Sequence, residues 1–184
     1  MNARFAALLV GSTLLIQLVA VPPSSRADEV GGNDVRVSDM GPDGSPAYDA
    51  RHAAVAYNPA GGAYLVVWEG DDSAAGLADD ELEIFGQLLS AVGGELGNND
   101  VRISLAGGTG DPDFDAVYPA VACNTVDDEY LVVWAQDTGD GDLIDEEFEI
   151  WGQRLDPFLF PLGGDFRISV MGPDGIGFYD AERP

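Results

Sequence analysis

The sequence predicts an all-β protein made of repeated four-stranded antiparallel units, and three observations carry that prediction. Asp34-Val35-Arg36-Val37-Ser38 returns as Asp100-Val101-Arg102-Ile103-Ser104 and as Asp165-Phe166-Arg167-Ile168-Ser169, 66 and then 65 residues on. Each interval holds four short runs rich in β-branched and aromatic residues, bounded by Gly, Asp, Asn and Pro, the composition of strands and turns. No stretch after residue 27 sustains an apolar period of 3.6, so helices are expected to be few or absent.

Residues 1–27 are set apart first. Arg4 gives a short basic region, Phe5 to Val21 is an uncharged, mostly apolar run, and Pro22 to Ala27 ends in small residues suited to cleavage after Ala27. This is the pattern of a secretory signal peptide. An uncleaved anchor fits less well, because the run is shorter than a bilayer requires and two prolines stop it. The expected product is an exported protein, secreted or periplasmic, without stable membrane insertion. Its one cysteine, Cys123, allows no internal disulfide and lies in an apolar run, where it is expected to be a small buried hydrophobe.

Residues 28–184 form the repeat domain, with a first unit at about 39–104, a second at about 105–169 and the beginning of a third at 170–184. Other segments repeat in the same register. Tyr48-Asp49-Ala50 matches Phe114-Asp115-Ala116 and Tyr179-Asp180-Ala181, Tyr64 to Trp68 matches Tyr130 to Trp134, and Glu83 to Gln87 matches Glu149 to Gln153. In the second unit the four strands are expected near Ala120–Cys123, Glu129–Ala135, Phe148–Leu155 and Asp165–Ser169, with a leading strand near Val35–Ser38. The run Tyr130 to Trp134 is apolar on both alternating faces and is expected to be an interior strand with Trp134 in the core, as is Trp68. Four consecutive antiparallel strands per unit, each sheet needing a neighbour to cover it, point to a β-propeller-like architecture of about two full blades plus a flanking strand. A closed propeller takes at least about four blades. Further repeats of a longer chain, or a homo-oligomer, are therefore the first expected partners.

The order Pro-Ala-Val-Ala, Tyr-Leu-Val-Val-Trp, acidic loop, Glu-Ile-Trp-Gly-Gln-Arg-Leu and Gly-Gly-Asp-Phe-Arg-Ile-Ser resembles the repeats of large secreted bacterial β-propeller-like proteins. The likeness covers Asp34 to Pro184. It implies an extracellular protein, often adhesive or calcium-associated, without a common reaction. The first unit departs from the pattern with Leu88 where the second has Arg154.

Charge bounds the function. The chain has 33 acidic residues against 8 basic ones, all arginine, for a net charge of -25, and removal of residues 1–27 makes it -27. Such a field repels phosphate backbones and excludes nucleic acid as a partner, while a basic protein or a glycan stays open. Glycine-spaced acids curl carboxylates around a hard cation, so Asp137, Asp140, Asp142 and Asp145 form a candidate calcium loop, although the spacing is not that of an EF-hand. Asp111, Asp113 and Asp115, with Asp43 and Asp49 in the earlier loop, form a second acidic cluster. The recurring Arg36/Arg102/Arg167 and Asp49/Asp115/Asp180 are expected to act as blade-to-blade salt bridges or turn caps, and Gln87 and Gln153 to hydrogen-bond backbone at a strand crossing. His52, the one histidine, takes the place of Tyr118 and is expected at a blade edge. One His and one Cys make zinc improbable, and no nucleophile-elbow motif occurs. These features together predict a secreted, non-catalytic scaffold or adhesion module with acids decorating its loops; the rival is a fragment of an extracellular carbohydrate-active hydrolase with paired carboxylates.

Overall fold

A computed structural model describes residues 35–139 and 143–184, so the leader expected at 1–27 lies outside the described residues. The architecture is all-β, with two four-stranded antiparallel sheets ordered β1-β2-β3-β4 and β5-β6-β7-β8. The first comprises β1 (Ala50–Asn58), β2 (Ala63–Gly70), β3 (Glu83–Ser90) and β4 (Glu95–Arg102). The second comprises β5 (Ala116–Asn124), β6 (Glu129–Gln136), β7 (Glu149–Leu155) and β8 (Phe166–Arg167). Both sheets are open; among the described residues they close no barrel or ring. One 3-10 turn, Ser73–Ala75, is the helical element among those residues, and no helix there is long and apolar enough to cross a membrane.

Hairpin chemistry sets each sheet going. Asn58 follows the last residue of β1's exposed face, and its Oδ1 accepts from the amides of Ala60 (2.9 Å) and Gly61 (3.3 Å), folding the chain back into β2. Asn124 does the same for Val126 (3.1 Å) in the second unit. Such side-chain turns suit Asn because its short amide reaches a backbone amide two residues on.

Of the doubly apolar central strands, β2 packs on both faces as its sequence predicts, whereas β6 is covered on one face only and leaves Leu131 exposed on the other. In β2, Leu65 and Val67 point to one side, towards the second sheet, while Val66 and Trp68 point to the other. In β6, Tyr130, Val132 and Trp134 face the first sheet and join Leu65, Val67, Ile84 and Leu88 in one core. A second, smaller core joins Trp68 and Phe85 to Met40 and Leu77, with Val37 and Tyr48 laid over them. Burying a large apolar side chain contributes about 1.5–3 kcal/mol, so the sheet-to-sheet core supplies most of the cohesion. Cys123 is half-buried against it, and burial raises its thiol above the usual range.

Two expectations need correction. Val35–Ser38 is not a strand: it runs as irregular chain, and Arg36 bonds its own neighbourhood, the Ser38 carbonyl (2.8 Å) and Asp43 (2.5 Å). Strand geometry there would need an adjacent strand edge, which in the later units β3 and β7 provide. The fourth strand of the second unit is also shorter than expected: Phe166 and Arg167 pair with Gly152 and Trp151 of β7, and beyond them the chain leaves strand geometry with the Ile168 amide on the Ile150 carbonyl at 2.6 Å.

Candidate functional site

The acids are not mere loop decoration. Among the described residues nine of them are buried: Glu69, Asp71, Asp72, Glu81, Glu83, Glu129, Asp137, Glu147 and Glu149. An unpaired carboxylate inside a protein costs several kcal/mol, so each must find donors. The donors are mostly backbone amides, and three of the acids repeat in register.

Asp71 accepts from the amides of Asp49 (2.6 Å) and Asp80 (3.0 Å); its equivalent Asp137 accepts from Asp115 (2.6 Å) and Glu146 (2.9 Å). Glu81 holds the amides of Ala78 (2.7 Å) and Gly110 (2.9 Å), and Glu147 holds those of Ile144 (3.3 Å) and Gly175 (2.8 Å). Glu83 takes the Arg102 guanidinium, the Ser104 hydroxyl and the Ala106 amide; Glu149 takes Arg167, Ser169 and the Met171 amide. Asp115 completes the set by accepting from the Leu82 amide at 2.9 Å, which ties the second unit's lead-in to the first sheet. Asp180 accepts from the Phe148 amide at 3.4 Å in the same relation one unit on. Carboxylates and amides thus staple each unit to the segment that follows it.

Burial governs how these acids titrate. Desolvation pushes Glu83 above the usual carboxylate range despite its three donors. Burial is also the largest influence on Glu149, yet there the Ser169, Met171 and Arg167 donors prevail and hold the group low. Ala106 and Ala116, next to the Glu83 cluster, join the sheet-to-sheet core, whereas Met171, next to Glu149, lies at the surface. Asp115 is pushed up to about 6, first by burial and then by the neighbouring charges of Asp137, Glu83 and Glu69, against the Leu82 amide.

The sequence-predicted residues fall into place unevenly. Asp137 is turned inward with both oxygens on amides, Asp145 is exposed, and Asp140 and Asp142 lie outside the described residues. Among the described residues no three His, Cys, Asp or Glu side chains converge as a metal would require. In the second cluster Asp111 caps the Asp113 amide (3.3 Å), Asp43 pairs with Arg36, and Asp49 pairs with Arg51 at 2.5 Å, so it disperses. Arg102 and Arg167 do form salt bridges, but between adjacent strands of one sheet and not from blade to blade. Gln87 donates to the Leu88 and Leu96 carbonyls and accepts from the Asp100 amide, bridging the irregular β3–β4 register as expected, and Gln153 donates to the Arg154 and Gly163 carbonyls. Trp68 and Trp134 are buried core residues.

One constellation escaped the sequence reading. His52 Nδ1 donates to Glu69 Oε1 at 2.7 Å, and the other oxygen of Glu69 accepts from the Tyr118 amide at 2.6 Å. The His52 and Tyr118 rings lie 4.8 Å apart, and the Arg183 guanidinium sits 5.0 Å over the Tyr118 ring. His52, Tyr118 and Arg183 are the same position of three successive units and stack as a column. All three adopt positive φ, 51°, 56° and 61°, which is strained for such side chains. In β1 and β5 the strain coincides with a register shift, after Arg51 and after Val117. The readable signal was the departure from repeat: Glu69 stands where the second unit has Ala135, beside His52 where it has Tyr118. The two changes touch each other.

Comparisons with protein-family models, with curated proteins and with solved structures each give no match for this chain.

Proposed function

We propose that the chain is an exported, non-catalytic repeat scaffold, a pair of propeller-like blades that presents inter-sheet surfaces for binding. The observation that carries this reading is the destination of the acids. Asp71/Asp137, Glu81/Glu147 and Glu83/Glu149 recur in register, are buried, and spend their oxygens on backbone amides, arginine and serine. Groups so occupied are poor general bases and poor ligands, because a substrate or cation would have to displace existing charge-assisted hydrogen bonds. The blade reading is supported by the way β5 packs across β1, β2 and β3, and by the second sheet's outward face. There Leu131 and Ile168 are exposed where Leu65 is fully covered and Ile103 is packed in the core, the relation expected if another unit of the same kind follows.

The reading has a direct test in thermal unfolding measured in millimolar calcium and in excess chelator. The parent midpoint is expected to be the same in both, and Glu81→Gln is expected to lower it equally in both by several degrees, since losing one buried charged acceptor costs about 1–3 kcal/mol. A calcium-dependent rise that Asp137→Asn removes would replace the staple reading of that loop with an ion site.

A further inference from the structure

We infer that the cavity at the hairpin end of the sheet-to-sheet seam is a receptor for an arginine side chain of a protein partner. The inference rests on the binding-framework reading above and names what the framework binds. The cavity encloses about 400 Å³. It is lined by Ala63, Leu88 and Leu96 of the first sheet, by Tyr130 of the second sheet and Phe158 of the loop after β7, and by the polar Asn58 and Asp128.

The chain carries its own template for the ligand. At the same corner of the second unit, one repeat on, Asn124 donates to Glu129 Oε1 (3.3 Å), and Glu129 receives Arg154 through Nε (3.2 Å) and Nη2 (2.5 Å). That corner is therefore an amide, a carboxylate and a guanidinium. In the first unit Glu129 and Arg154 are replaced by Ala63 and Leu88. The amide remains, and it again holds a carboxylate, because Asn58 Nδ2 donates to Asp128 Oδ1 at 2.7 Å across the seam. The guanidinium is the missing component, and the shorter Ala63 and Leu88 leave the space.

The surroundings suit that head group and its stem. Phe158 is 75 % exposed at the rim, which leaves its ring open to a partner. Its loop is pre-formed: Asp156 Oδ1 accepts from the amides of Phe158 (2.8 Å) and Phe160 (2.9 Å), and Leu159 is buried beneath. An arginine stem lies well along Leu88 and Leu96 while its guanidinium meets Asp128 and the ring faces. The net charge of -25 draws such a partner in.

The probe is the capped tripeptide acetyl-Gly-Arg-Gly-amide, titrated at about 150 mM sodium chloride so that diffuse attraction is screened. Saturable NMR shifts are expected at the Leu88 methyls and the Phe158 ring, absent when citrulline replaces arginine. Leu88→Arg, which installs the second unit's own residue, is expected to weaken binding at least about tenfold, as is Asp128→Asn, while Asp113→Asn leaves it unchanged. Asp128→Asn serves if Leu88→Arg fails to fold. Shifts spread over all acidic loops with one common midpoint, or persisting in both variants, would overturn the receptor. The scaffold reading would survive that result, because its own test is the calcium-independent melting of the Glu81 variant.

Discussion

At the scale of single residues, Asp115 is an acid held at a cost. Its carboxyl accepts from the Leu82 amide but lies buried beside Asp137, Glu83 and Glu69, which lifts it to about 6 from the ordinary 3.8. A carboxyl raised in the folded state keeps a proton that the unfolded chain has lost. Stability from this group is therefore gained as pH falls through about 6 and lost as pH rises, by on the order of 2–3 kcal/mol at most. Asp115→Asn keeps an acceptor for Leu82 without the charge. Urea unfolding at pH 5, 6 and 7 is expected to find the variant at least as stable as the parent at pH 7 and flatter in its response. Parallel curves would mean that Asp115 ionises freely. Glu149 marks the opposite case, where the Arg167 guanidinium, the Ser169 hydroxyl and the Met171 amide together hold the carboxyl low.

At the scale of elements, the segment linking the sheets depends on a glycine that no strand pattern singles out. Gly107 sits at φ 58°, and a Cβ there would lie 2.5 Å from Cδ2 of Phe114, which is stacked flat on the backbone. Gly41 under Tyr48 repeats the arrangement at φ 62° with a contact of 2.3 Å, and Gly172 under Tyr179 repeats the close ring approach at 2.6 Å without the positive φ. The aromatic of the recurring Tyr/Phe-Asp-Ala motif thus closes the linker over a glycine, and Asp115 and Asp180 of the second and third copies staple it to the sheet before. Gly107→Ala adds a left-handed alanine, worth about 1–2 kcal/mol, and a ring collision, worth about 1–3 kcal/mol, so a loss of about 2–5 kcal/mol is expected by chemical denaturation. Gly62→Ala, at φ 62° with open space around it, tests the backbone part alone. Equal losses in the two would remove the ring from the explanation.

At the scale of the molecule, the two sheets share one core, with Tyr130, Val132 and Trp134 seated on Leu65, Val67 and Ile84. Asp115, Glu81 and the Asn58–Asp128 bond cross the same seam. Neither sheet is therefore expected to unfold alone. In urea, far-UV circular dichroism and tryptophan fluorescence should fall at one midpoint, and Trp68→Phe, which leaves the tryptophans of the second sheet as reporters, should keep the two coincident. Separate midpoints would divide the molecule into independent units.

Much of this was legible in the sequence because repetition is a strong signal. The 66-residue register placed the strands of both sheets to within a few residues, the doubly apolar runs marked β2 and β6 as central strands although β6 leaves Leu131 uncovered, and the matched glutamines and arginines announced structural roles. Those features are local: alternation and turn chemistry act within a few residues. What the tertiary structure alone decided is where each acid points. Asp137 and Asp145 are close in sequence and alike in charge, yet one is spent on amides inside and the other is exposed, because only the folded chain brings the Asp115 amide to Asp137. The same holds for Glu69 with His52 and Tyr118, and for Asn58 with Asp128, 70 residues apart. Sequence sets composition and period, but a buried charge is settled by which donors the packing carries to it.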